Sequence, residues 1–133
     1  MKATRIYSGP DGESHFGELE IPIQEAGEIG ALSAHFPVSS IIFRETGGDY
    51  DYTWHNAPCR QFVLMLEGSV EIEVSDGSRR TLHAGDILLV EDIDGRGHIS
   101  RALDGQPRKS VFVTLKEQVL PFFEQQPTKE IKL

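Results

Sequence analysis

The stretch GSVEIEVSDGSRRTLHAGDILLVED, residues 68–92, decides how the chain is read. Val70, Ile72 and Val74 alternate with Ser69, Glu71 and Glu73, which is the period-two pattern of a strand with one buried and one wetted face. Ser75-Asp76-Gly77-Ser78 then supplies hairpin chemistry: short polar side chains and a glycine free to take positive φ. RRTL reads as the returning strand, HAGD as the next turn and DILLVED as a further strand. Short strands separated by turns at this density predict an all-β sandwich or barrel.

The pattern continues on both sides. GHISRAL and KSVFVTL read as strands separated by the turn DGQP, and GELEIPI, VSSIIFRE and YDYTWH read as strands upstream. RQFVLMLE, residues 60–67, is apolar on both faces: Gln61, Val63 and Met65 share one side, Phe62, Leu64 and Leu66 the other. A strand with one solvated face would alternate, so both sides must be covered. The core covers one side, and either the N-terminal strands or a second subunit covers the other. With no second domain, this reading favours a homodimer with sheet-on-sheet contact. Only KEQVLPFFEQQ, residues 116–126, has helical character, and Pro121 limits it to a short or broken C-terminal helical segment.

A chain of 133 residues is one domain by size, 1–133, and long enough to bury one core. No apolar run approaches the roughly 20 residues that span a bilayer. MKATRIYSGPDGE lacks the apolar segment of a signal peptide, so a cytoplasmic location without membrane partners is expected. The net charge of −8 argues against nucleic-acid binding, which needs a basic face. The basic pairs Arg79-Arg80 and Arg108-Lys109 read as solvated strand ends. The single cysteine, Cys59, excludes an intramolecular disulfide and a multi-cysteine zinc site, and reads as a small buried residue.

Chemistry concentrates in WHNAPCRQ, residues 54–61, and in GDILLVEDIDGRGH, residues 85–98. His55 and Gln61 share strand parity, and His98 closes the second segment. The two segments resemble the paired motifs of the cupin superfamily, and that register implies that His55, Gln61 and His98 share one barrel mouth. Histidine is the commonest transition-metal ligand and titrates near neutrality, so two readings stay open. In one, His55, Gln61 and His98 weakly hold a divalent transition metal. In the other, His55 and His98 are a catalytic acid–base pair working with Tyr50, Tyr52 or Glu91. A third reading makes the two histidines hydrogen-bonding members of a closed barrel. Gln61, Glu91, Tyr52 and Arg96 are the expected substrate-binding residues, with Arg96 a cation that could receive a carboxylate or phosphate.

In the cupin resemblance, His55 matches the first motif's leading histidine, Ala57 stands for its second and Gln61 for its glutamate. Gly48 falls one position off the opening glycine, and Gly68 lands on the closing one. Gly85-Asp86 and His98 match the second motif; Glu91 stands where proline is common, and the turn is two residues longer. ESHF, WHNAPCRQ and EDIDGRGH also look like small single-domain bacterial cupins of unassigned activity. The resemblance implies a β-barrel of two antiparallel sheets (a double-stranded β-helix or jelly roll), often dimeric, with core motifs at about 38–115. It implies no particular reaction. A small-molecule-binding protein is expected, in the first instance an enzyme on a small polar metabolite. The alternative is a non-catalytic ligand-binding or structural dimer without metal.

Overall fold

The computed structural model describes residues 1–116, and twelve strands account for most of them. In chain order they are β1 (Lys2–Ser8), β2 (Ser14–Glu20), β3 (Gln24–Glu25), β4 (Ala31–Leu32), β5 (Val38–Thr46) and β6 (Asp51–His55). Then come β7 (Gln61–Glu67), β8 (Ser69–Val74), β9 (Arg79–His83), β10 (Ile87–Glu91), β11 (His98–Ala102) and β12 (Arg108–Leu115). A six-stranded sheet, in the order β2-β1-β10-β7-β12-β5, accompanies a four-stranded one, β6-β11-β8-β9. This is the expected all-β barrel of two sheets. The expected C-terminal helical segment falls almost wholly outside the described residues. Among the described residues no helix is long and apolar enough to cross a membrane.

Alternation along each strand decides what faces inward. Val70, Ile72 and Val74 of β8 are buried together with Val63 and Met65 of β7, Leu88 and Val90 of β10, and Ile6 of β1. The opposite face of β7 is covered from within the chain. Phe62 and Leu64 belong to a second cluster with Ala3, Leu19, Ile21, Leu89 and Leu115, joined by Phe36. The intrachain cover therefore accounts for Phe62 and Leu64, while Leu66, at the end of the same face, is left 56% exposed. An exposed apolar row lies on the edge strand β5, where Ile41 is 57% and Phe43 75% exposed.

Strand β1 carries no clean period-two signal, because one of its buried side chains is an arginine. Arg5 is buried, and its Nε donates to Glu91 Oε1 at 2.7 Å. Arg60 donates to the other oxygen of the same carboxylate. β1 joins β10 in parallel, with Thr4 beside Leu88 and Ile6 beside Val90. The parity of β10 separates its side chains cleanly: Leu88 and Val90 point into the barrel, while Leu89 belongs to the outer cluster. Glu91 shares the parity of Leu89, so its ion pairs form behind the sheet.

Candidate functional site

At one end of the barrel a cavity of about 510 Å³ opens between the two sheets. Its floor is apolar, made by Val63, Met65, Val70, Ile72, Leu88 and Val90. Its upper wall is polar and carries Tyr52, His55, Gln61, His98 and Ser100. An apolar floor under a few converging polar groups is the usual form of a small-molecule site.

The strand ladder brings the histidines together. His98 opens β11 directly opposite His55, the last residue of β6, and the ring centroids are 4.4 Å apart. One extra residue in β6 shifts the register between this pair and the next, Ser100 opposite Tyr52. That bulge lets Tyr52 and His55 both reach the cavity although they differ in parity. Their rings lie 4.3 Å apart. Trp54, between them, is outside the cavity lining and 43% exposed. The loop entering β11 requires a glycine at Gly97. Its φ is +78°, and a Cβ there would lie 2.3 Å from the His55 carbonyl oxygen. Asn56 ties down the rest of that loop by donating to the carbonyls of Asp92, Asp94 and Gly95.

Each imidazole is fixed through Nδ1. His55 Nδ1 donates to the Thr53 carbonyl at 2.8 Å, which assigns the ring proton to Nδ1 because a carbonyl can only accept. His98 Nδ1 lies 2.6 Å from the carboxylate of Asp92, which is completely buried. Both rings therefore keep Nε2 for whatever occupies the cavity. Burial holds the His55 pKa below its ordinary value of 6.5, and the neighbouring His98 and Arg44 push the same way. His55 thus remains a neutral acceptor somewhat below pH 6.5. The unfolded chain takes up that proton more readily, so acidification from 6.5 downward through the lowered folded value works against the fold.

The structure groups some expected site residues and separates others. Tyr52, His55, Gln61 and His98 line one cavity. Glu91 does not join them: its side chain is 6% exposed and held between Arg5 and Arg60. Arg96 is on the outside of the loop, 71% exposed at its side chain and 3.3 Å from Glu13. Cys59 is half-buried at the cavity wall. The pair Arg108-Lys109, read as a solvated strand end, splits: Lys109 is exposed, while Arg108 is 7% exposed and lines the cavity. Arg44 lines it too, and neither arginine stood out in the sequence reading. The missed signal was parity, since Arg108 lies in step with the cavity-lining Ser110, Phe112 and Thr114 of β12.

The donor set does not fit a divalent metal. Two imidazoles and the Gln61 amide bring no negative charge, and Ala57 offers no donor. The nearby carboxylate, Asp92, sits behind His98 rather than in the wall. Among the described residues no three His, Cys, Asp or Glu side chains converge as metal ligands. The charged side chains that do line the cavity, Arg44 and Arg108, are cations. A bare divalent ion would meet their repulsion in a low-dielectric wall.

A family model of the EutQ-like cupin domain matches residues 32–94. No curated protein sequence matches the chain. Among solved structures, the chain is similar to a RmlC-like cupin family protein with a double-stranded β-helix fold from Methanocaldococcus jannaschii. The two are 10% identical, with a TM-score of 0.48, over 74% of this chain and 93% of that one. It is also similar to a putative ethanolamine utilization protein Q from Salmonella typhimurium. Here identity is 13% and the TM-score 0.45, over 86% of this chain and 95% of the other.

Proposed function

Since the chain is a cupin, a fold whose members often bind small ligands or metals, we propose that it binds a small polar metabolite in the cavity and moves a proton on it with His55 and His98. One observation carries this reading: both imidazoles commit Nδ1 elsewhere and leave Nε2 available in the same cavity. His55, neutral by burial, accepts a hydrogen bond or proton. His98 accepts a proton at Nε2 while Asp92 holds its ring orientation and stabilises the imidazolium that forms. That imidazolium then returns a proton to the ligand and regenerates the neutral ring. Gln61 and Tyr52 orient the ligand. No metal takes part in this reading.

Deuterium exchange tests it without knowledge of the substrate. The protein is incubated with a pool of small metabolites in D₂O, and mass spectrometry follows label entering a carbon position. Wild type should label one metabolite, and His55→Gln and His98→Gln should each slow labelling by roughly 10²-fold or more. Retention of a metabolite with no label gained would support the non-catalytic binding module instead. Labelling unchanged in both variants would overturn the assignment of the two histidines.

The exposed apolar row on β5 supports homodimerisation through that strand. Light scattering during gel filtration should give twice the chain mass, falling to one chain mass for Phe43→Glu. A wild-type monomer at micromolar concentration would dismiss the dimer.

A further inference from the structure

We infer that Arg44 and Arg108 form an anion subsite inside the cavity, so that the ligand proposed above carries a carboxylate or phosphoryl group. This rests on the cavity being a binding site and adds the ligand's chemical class. The guanidinium of Arg108 lies 5.0 Å from the centroid of the Tyr50 ring and that of Arg44 lies 4.9 Å from it. Two like charges are thus held against one ring.

Among the described residues no carboxylate pairs with either arginine. The other arginines of the barrel make the contrast plain. Arg5 and Arg60 share Glu91, Arg80 donates to Glu18, and Arg101 is paired with Glu71 and Glu73. The chain has 21 acidic residues against 13 basic ones, so acidic partners are not scarce. Yet Arg108 is 7% exposed, and its Nη1 is buried without a hydrogen-bond partner. Opposite it in the β5–β12 ladder is Thr46, whose Oγ1 is likewise buried and unpartnered. A buried guanidinium without a counter-charge opposes folding, and a protein retains one where an anion completes it.

Burial and the nearby charge of Arg44 lower the pKa of Arg108, and a guanidinium is effectively always protonated in a protein. A planar guanidinium suits an oxyanion because it can donate two parallel hydrogen bonds. Tyr50 and Tyr52 stand 6.0 Å apart, centroid to centroid, between the arginines and His55. A ligand anchored by its anion at Arg108 therefore presents its other end to the His55–His98 pair. The ligand class is a small acid or phosphate ester with a polar or acidic C–H group a few bonds from the charge.

The test titrates the intact protein with inorganic phosphate and, separately, malonate, each to tens of millimolar. NMR follows the arginine Nε–H and histidine ring signals, and thermal melts are run in parallel. Wild type should show saturable shifts at Arg44 and Arg108. Stronger binding of phosphate assigns the phosphoryl class, stronger binding of malonate the carboxylate class. Arg108→Met should lose the shifts, yet melt roughly 2–5 °C higher without ligand, because an unpaired buried charge is gone. His98→Gln should keep them. Arginine signals unmoved by both anions, or shifts that persist in Arg108→Met, would overturn the subsite. Proton exchange dependent on His55 would survive that result, which separates failure of the subsite from failure of the cavity as a reaction site.

Discussion

Glu91→Ala lowers the free energy of unfolding by roughly 3–5 kcal/mol, measured by urea denaturation at neutral pH. The size follows from where the charges sit. The Arg5 and Glu91 side chains are each 6% exposed and that of Arg60 13%, so water screens this cluster poorly. Deleting the carboxylate removes the counter-charge that two guanidinium groups share, and alanine replaces none of it. A pair such as Arg80–Glu18, 38% and 66% exposed, should by comparison cost under about 1 kcal/mol when broken. Glu91→Gln, which keeps the shape without the charge, should fall nearer to alanine than to wild type. Because Glu91 projects behind the sheet, anion binding in the cavity should persist in Glu91→Gln while the fold holds. A loss below about 1 kcal/mol for Glu91→Ala would mean that the cluster is hydrated in solution.

Asp92→Asn slows proton transfer by roughly 10²–10⁴-fold while the protein stays folded. The carboxylate accepts a hydrogen from His98 Nδ1 and so directs the lone pair to Nε2. An amide in its place can donate to Nδ1, which favours the other tautomer and puts a hydrogen on Nε2, where the base must be bare. Long-range proton–nitrogen correlation of the His98 ring reads this directly: Nδ1 should pass from protonated to unprotonated. The deuterium-exchange rate supplies the functional readout. If His98 keeps its tautomer and the rate stays within about twofold, Asp92 is a structural acceptor and not the group that positions the base.

Much of the architecture was legible because period-two alternation is a local signal. Val70, Ile72 and Val74 named their own face, and the two-sided pattern of β7 announced a strand covered on both sides. What covered the second face was not local information, since Ala3, Leu19 and Leu115 come from distant parts of the chain. Strand β1 escaped for a related reason. Its buried arginine breaks the alternation and makes sense only once Glu91 stands beside it. In the site, His55 and His98 stood out by residue type and by spacing. Glu91 and Arg96 were drawn in by nearness in sequence. The inward direction of Leu88 and Val90 already sends Glu91 outward, and a loop position gives Arg96 no such constraint. Arg108 reads with Lys109 as a solvated strand end, because a charged pair there usually is one, and Arg44, inside β5, does not stand out. Arg108 shares parity with Ser110, Phe112 and Thr114, a signal its own stretch displays. The inward aim of Arg44 depends instead on the register of β5 with β12, where it sits opposite Ser110.

The parallel seating of β1 beside β10 also sets an order in time. A ribosome releases Ile6 long before it releases Val90, its ladder neighbour. At roughly 5–20 residues per second, that wait lasts roughly 4–17 seconds. Through it, β1 and β2 can pair only with each other, and the apolar side chains of Ala3, Ile6 and Leu19 lack the partners that later cover them. Once β10 has emerged and paired with β7, its other flank stays an open edge until β1 docks, and an open edge invites strands from neighbouring chains. The first strand synthesised is therefore among the last to be seated, and crowded synthesis at high temperature is where this barrel is most exposed to aggregation.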